Sequence, residues 1–94
     1  MPPRRVTLFR ADGCHLCERA LEVVHEAQAL VPFDLEVVDI GGVEALEQQY
    51  REFLPVIEID GLRAFTYFVT VGGLVDRVRD DGSPARPETP AGNM

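Results

Sequence analysis

The sequence predicts an α/β domain built as βαβ followed by ββα, with a four-stranded mixed sheet flanked by helices. Three observations carry that expectation. Short runs of β-forming residues alternate with helical apolar stripes in the first half of the chain, the pattern of two parallel strands and a crossover helix. Asp60-Gly61 then joins two more apolar runs as a two-residue hairpin turn, and a last amphipathic stretch follows them. At 94 residues there is room for one domain.

Val6 to Phe9 (Val-Thr-Leu-Phe) reads as a short buried strand, broken by the polar loop Arg10-Ala11-Asp12-Gly13. A helix is predicted over residues 15–30, because Cys17, Ala20, Leu21, Val24 and Ala27 recur at helical spacing while Glu18, Glu22, His25 and Glu26 fall opposite. Pro32 ends it. Leu35 to Ile40 is a second strand, parallel to the first through a right-handed crossover. Gly41-Gly42 turns the chain into a second helix with the stripe Val43, Leu46, Tyr50 and Phe53. Pro55 opens a third strand, Val56 to Ile59, and Asp60-Gly61 suits a type I′ turn, which needs positive φ at both central residues. A fourth strand is predicted from Leu62 to Phe68, then a helix with Val71, Leu74, Val75 and Val78 inward, ending before Asp80. The expected domain is residues 1–82. Pro2 and Pro3 read as a frayed start, and residues 83–94, with three prolines and no apolar periodicity, as a disordered tail.

Composition removes several function classes. A net charge of −7 argues against a nucleic-acid groove, which needs clustered Lys and Arg; Arg4-Arg5 is the only basic cluster. No apolar run approaches the ~20 residues of a membrane helix, and the start lacks signal-peptide character. A cytoplasmic protein with no membrane or nucleic-acid partner is therefore expected. With 46% hydrophobic residues a core is assured, although so short a domain buries only roughly 60–65% of its extended-chain surface.

Two cysteines three residues apart staple almost nothing, so in a reducing compartment Cys14 and Cys17 point to redox chemistry or a metal. A disulfide exchanger needs a reactive thiolate, a second thiol to resolve the mixed disulfide, and access for a partner. Cys14 lies where loop becomes helix, facing unpaired amides and the positive end of the helix dipole. Such placement in a Cys-x-x-Cys frame brings a thiol from about 8.5 into the range of roughly 3.5–7.5. Cys17, one turn further on the apolar face, is expected to be less exposed and less ionised. Cys14 is then the nucleophile and Cys17 the resolving thiol. A protonated His15 would favour the thiolate further; the alternative is a solvent-facing histidine with little effect.

Other readings of the pair are a structural disulfide, a zinc half-site and two inert thiols. The first would stabilise little, since loop-closure entropy grows with loop length. Zinc needs four ligands, and only His15 and His25 stand beside the thiols. Phosphatase-like Cys-x5-Arg chemistry is excluded, because Ala20 stands six residues beyond Cys14.

Val-Thr-Leu-Phe, Cys-His-Leu-Cys-Glu and Leu-Pro-Val-Ile, in that order and with a proline some 40 residues after the cysteines, resemble the glutaredoxin and thioredoxin superfamily, and most of all small bacterial glutaredoxin-like proteins. The resemblance covers about residues 5–80. It implies a thioredoxin-like fold and a cis Pro55 packed beside the cysteines, leaving the Leu54 backbone free to pair with an extended partner. His15 and Leu16 stand where glutaredoxins usually carry proline and an aromatic residue, and Leu54 where they carry threonine. Gly72-Gly73 comes about ten residues after Gly61, later than the glycine pair that holds the glutathione carboxylate, and reads as part of the last helix. Arg10 supplies the basic residue near the motif in a slightly different register. The buried acid of thioredoxins has no counterpart in Val6 to Phe9.

The expected activity is thiol–disulfide exchange on a protein or glutathione-type disulfide, with Cys14 and Cys17 catalytic and Arg10, His15, Leu54 and Pro55 around the substrate. An external thiol reductant is implied. No metal or organic cofactor is expected, glutathione entering only as a candidate co-substrate, and the chain is expected to be a monomer. Two readings compete: a non-catalytic thioredoxin-fold binding module, and a dimer bridged by an iron–sulfur cluster.

Overall fold

Val6 and Leu8 point to one side of the first strand and Phe9 to the other, and all three are buried, so β1 (Arg5–Arg10) needs cover on both faces. A computed structural model, describing residues 4–79, provides it. β1 lies inside a sheet of order β2-β1-β3-β4, parallel to β2 (Asp34–Asp39) and antiparallel to β3 (Val56–Ile59); β4 (Leu62–Thr66) is antiparallel to β3. The helices are α1 (His15–Leu30), α2 (Glu44–Tyr50) and α3 (Val71–Arg79). The architecture is the expected four-stranded mixed α/β sheet with helices on its faces.

One core cluster joins Ala20, Val24 and Ala27 of α1 and Leu74, Val75 and Val78 of α3 to Val6, Leu8, Ile57 and Ile59 of the sheet. The second gathers Phe9, Val56, Ile40, Leu54 and Cys17 around Tyr50 of α2. Because side chains alternate along a strand, Leu8 and Phe9 mark the two faces, with α1 and α3 on one and α2 on the other.

Local chemistry sets the element ends. The Val31 amide donates to the Ala27 carbonyl and the Gln28 amide nitrogen to the Phe33 carbonyl, closing α1 into β2. Val43 gives α2 no side-chain cap; Glu47 instead accepts from the Gly42 amide and from the Arg51 guanidinium. The Gly42 bond, followed by Arg51, holds the Glu47 carboxyl below its ordinary value. Thr70 Oγ1 accepts from the Gly73 amide and starts α3. A Cβ on Gly73 would come within 3.0 Å of that hydroxyl and 3.7 Å of the Phe65 ring. The glycine pair is thus built into α3, as expected.

Four boundaries differ from expectation. β1 runs Arg5–Arg10 rather than Val6 to Phe9, because both arginines still pair with β2. β2 runs Asp34–Asp39 rather than Leu35 to Ile40, because Arg5 pairs with Asp34 and Arg10 with Asp39. The second helix, expected to continue through Phe53, stops at Tyr50 and tightens into a 3₁₀ turn, Arg51–Phe53. Pro55 holds Leu54 extended (φ −62, ψ 143), so the chain must leave the helix there. β4 ends at Thr66 rather than Phe68, because Tyr67 takes φ +67 and leaves the β region. The frayed start at Pro2-Pro3 and the tail at residues 83–94 lie outside the described residues.

Asp60 (φ +53) and Gly61 (φ +84) take the positive φ values of the expected turn. The Asp60 carboxylate accepts from the Arg5 amide and the Arg4 guanidinium, clamping the hairpin to the start of β1. These two bonds, the Arg5 amide foremost, hold the Asp60 carboxyl below its usual 3.8. A lowered carboxyl stabilises the fold above its unfolded-state pKa, and that contribution is lost as pH falls through the folded-state value. Asp60→Asn should therefore be less stable than wild type at pH 7 in urea unfolding, and the gap should shrink as pH falls below 3.8. A gap independent of pH would show that charge is not the cause.

Leu74 is fully buried between α3, α1 and the sheet. Leu74→Ala should cost about 2–5 kcal/mol in the same measurement. A loss well below about 1 kcal/mol would mean that the α3 contact contributes little to the core.

Candidate functional site

β1 delivers the chain to the site. After Arg10, Ala11 is buried and Asp12-Gly13 turns, with Gly13 at φ +78, a conformation that favours glycine. Cys14 follows as the N-cap of α1 in extended conformation (φ −97, ψ 101). The first amides of a helix lack intrahelical acceptors, and the Cys17 amide is one of them; it donates to Cys14 Sγ at 3.1 Å. A negative charge on this sulfur would meet a direct donor and the positive end of the helix dipole.

Cys14 and Cys17 form a disulfide, with Cα atoms 5.2 Å apart. The two sulfurs differ in environment: Cys14 is half-buried, whereas Cys17 is 0% exposed among Phe9, Ile40, Tyr50, Leu54 and Val56. Only the first sulfur is open to a partner. Burial of the second in an apolar cluster disfavours its thiolate.

The other predicted residues separate into those near the pair and those directed elsewhere. Leu54 is buried in the cluster that contains Cys17 and against which Cys14 packs. Pro55 is buried next to it, and the peptide between them is cis. Leu54 precedes β3, whose pairing with β1 begins at Phe9 and Val56, so its main chain lies beyond that ladder. The His15 imidazole is 94% exposed, with the Glu18 carboxylate 4.0 Å away. Arg10 is engaged with Asp39 at 3.1 Å, Asp12 at 3.4 Å and the Ala11 carbonyl. It braces the loop before Cys14 against the end of β2.

Tyr50 forms the floor of the cluster. Its ring stacks on Phe9 with centroids 4.0 Å apart, and its hydroxyl donates to Glu58 at 2.8 Å. Burial first, and then the Glu58 carboxylate, raises the Tyr50 hydroxyl above its ordinary 10.0. The Arg63 guanidinium lies over the Tyr50 and Phe53 rings, 5.9 and 4.9 Å from their centroids. No described carboxylate is buried, which matches the missing acid in the sequence.

The sequence predicts Tyr67 and Phe68 as strand residues, but they form a turn after β4. The Tyr67 amide donates to the Pro55 carbonyl and its hydroxyl to the Glu52 carbonyl, both at 3.0 Å, while the Phe68 amide donates to the Thr66 carbonyl at 2.7 Å. That last bond, with φ +67 at Tyr67, makes a γ-turn of the rare, strained hand, costing of order 1–3 kcal/mol for a side-chain-bearing residue. The only sequence signal was a pair of aromatic residues at the end of an apolar run. Among the described residues no cluster of three or more His, Cys, Asp or Glu is arranged to hold a metal ion, and no helix is long and apolar enough to cross a membrane.

Residues 5–79 match the model of a family described as a glutaredoxin-like domain (DUF836). Among solved structures, protein Ne2328 from Nitrosomonas europaea is 28% identical with a TM-score of 0.70, over 83% of this chain and 94% of that one. Protein XcR50 from X. campestris is 28% identical with a TM-score of 0.66, over 77% of this chain and 92% of the other. A thioredoxin-2 of the malaria parasite, at 20% identity and a TM-score of 0.66 over 81% of each chain, shares the fold. No curated protein matches the chain.

With its imidazole in water and 4.0 Å from a carboxylate, His15 has little leverage on the sulfur, because water and salt screen exposed charges. The pH dependence of Cys14 alkylation by iodoacetamide in the reduced protein should be superimposable for wild type and His15→Ala. Separated curves would give the imidazole a part in activating the thiol.

Proposed function

Because the chain belongs to the glutaredoxin-like domain family of the thioredoxin superfamily, we propose that it is a thiol–disulfide oxidoreductase with Cys14 as nucleophile and Cys17 as resolving thiol. A glutaredoxin-like thioredoxin fold with a Cys14–Cys17 disulfide supports a redox-type role. The single observation that carries the finer reading is the asymmetry of the pair: Cys14 Sγ is accessible and accepts the Cys17 amide at the helix start, while Cys17 is fully buried.

In the reduced protein the Cys14 thiolate attacks one sulfur of a substrate disulfide. A Cys14–substrate disulfide forms, and the other substrate sulfur leaves with the bonding electron pair and takes up a proton. Cys17 then loses its proton and attacks Cys14 Sγ, which closes the intramolecular disulfide and expels the second substrate thiolate. Two electrons and two protons pass to the substrate. Two equivalents of an external thiol, oxidised to its own disulfide, restore the dithiol. Cys17 is one helical turn from Cys14, so the resolving step is intramolecular and fast relative to attack by a second molecule.

Several features favour a protein disulfide over glutathione as partner. Leu54, before the cis proline, buries an apolar side chain in the cluster with Cys17 and offers no hydroxyl to a partner. Gly72 and Gly73 lie within α3, with the Gly73 amide already bonded to Thr70. Arg10 is ion-paired with Asp39 and Asp12. The extended Leu54 main chain suits a partner strand.

Reduction of hydroxyethyl disulfide and of an oxidised protein, each coupled to an external thiol, tests the assignment. Cys14→Ser should lose turnover to below about 1% of wild type, by the loss of an essential nucleophile. Cys17→Ser should accumulate a mixed disulfide visible as added mass on the intact protein. Full activity of Cys14→Ser would overturn the roles.

A further inference from the structure

Past Phe9, β1 keeps only one of its two neighbours. Its ladder to β3 ends at Phe9 and Val56, whereas its ladder to β2 continues through Arg10 and Asp39. The Ile40 amide then donates to the Arg10 carbonyl at 2.9 Å. Hydrogen bonding across the sheet therefore fixes the exit of β1, and the loop that leads to Cys14, from the β2 side.

Asp39 is the joint of that attachment. Its Oδ2 accepts from Arg10 Nη1 at 3.1 Å and its Oδ1 from the Gly41 amide at 2.8 Å, so the carboxylate is held from both sides. Arg10 reaches forward with Nη2 to the Ala11 carbonyl at 3.3 Å and the Asp12 carboxylate at 3.4 Å. Its side chain is only 23% exposed, against 47% for Asp39. We propose that Asp39 is a positioning residue for the nucleophile: through Arg10 it fixes the loop that presents Cys14 Sγ to the Cys17 amide, and so keeps the thiol acidic. The inference rests on the oxidoreductase reading and adds to it a residue that acts through another.

The loop needs such a fastening. The Cys17 amide meets Cys14 Sγ while Cys14 holds its extended N-cap backbone (φ −97, ψ 101). Gly13, just before it, stands at φ +78 in open space, where even an added Cβ would meet nothing within 4 Å. Glycine is the residue with the greatest backbone freedom, so the cap depends on where the residues ahead of Gly13 are held. Arg10 suits that task, because its planar fork donates in two directions at once. An ion pair this open to water contributes little to folding. Its effect is on where the loop sits.

A direct electrostatic role for Asp39 makes the opposite prediction. Removing a carboxylate from the neighbourhood of a thiol favours the thiolate. Misplacing Cys14 takes a hydrogen-bond donor from the thiolate and disfavours it. The sign of the shift separates the two.

The test is the pH dependence of Cys14 alkylation by iodoacetamide in the reduced, folded protein. In Asp39→Asn the side-chain oxygen can still accept from Gly41, but the charge that holds Arg10 is gone. Its midpoint should rise by about 0.5–1 pH unit, a roughly three- to tenfold loss of thiolate below the midpoint. Arg10→Lys keeps the charge without the fork and should shift in the same direction. The double variant should move no further than the larger single one, since both changes cut one link. Glu36→Gln is the comparator. It cuts Arg5–Glu36, an exposed 3.4 Å ion pair at the other end of the same two strands, and should leave the curve on that of wild type.

An Asp39→Asn midpoint that is unchanged or lower would overturn the assignment. Additive shifts in the double variant, or a Glu36→Gln curve displaced as far as that of Asp39→Asn, would also count against it. Absence of disulfide reduction by wild type is a separate result: it sinks the oxidoreductase reading, while the alkylation curves decide the role of Asp39.

Discussion

The double pairing of β1 is the constraint on which the rest of the molecule depends. Bonded to β2 on one side and β3 on the other, and buried on both faces, the strand has no freedom to slide. A one-residue slip would exchange Leu8 and Phe9 between two differently shaped clusters. Its end is therefore a fixed point, and from it the Ala11-Asp12-Gly13 loop leads to the start of α1. Arg10 reinforces that point by tying the loop to Asp39 of the neighbouring strand. The position of Cys14 is a consequence of sheet register before it is a property of the motif.

From that fixed point the two cysteines acquire different surroundings, and no described charged residue is buried beside them. Cys14, as N-cap, meets the orphan amide of Cys17, which substitutes backbone dipoles for a full positive charge. Cys17, three residues on, turns into the second core cluster. A helix advances about 100° per residue, so residues at i and i+3 share a side and the two sulfurs can bond. Cys14 is at the exposed helix start, whereas Cys17 lies one turn further along, where the same side meets the core. The fold supplies the asymmetry by position along a helix.

Two loops that the sequence keeps apart meet at one end of the β3–β4 hairpin. Leu54-Pro55 precedes β3, and Tyr67-Phe68 follows β4; the β3–β4 hairpin brings its two ends together, with Val56 opposite Thr66. The bond from the Tyr67 amide to the Pro55 carbonyl continues that ladder past the last regular pair, and the turn at Tyr67 then directs Phe68 outward. Hairpin geometry makes a single rigid rim of the residue before the cis proline and the exposed aromatic.

Much of this was legible in the sequence because it is local. The helix over residues 15–30, the Asp60-Gly61 turn, the glycine pair inside α3 and the Cys14/Cys17 asymmetry each follow from periodicity, backbone allowance or helix-end electrostatics within a few residues. The resemblance over the cysteines and Leu54-Pro55 added the family and the cis proline, which no local rule dictates. Tertiary structure alone decided where β4 stops, because the left-handed Tyr67 is held by carbonyls of Glu52 and Pro55, 15 and 12 positions back along the chain. It alone decided that Arg10 is engaged by Asp39 across the sheet and that His15 stands in water. Backbone propensity and helix-end fields act over one or two turns and are written in order along the chain. Partners of charged and aromatic side chains depend on which strands lie side by side, and sheet pairing decides that.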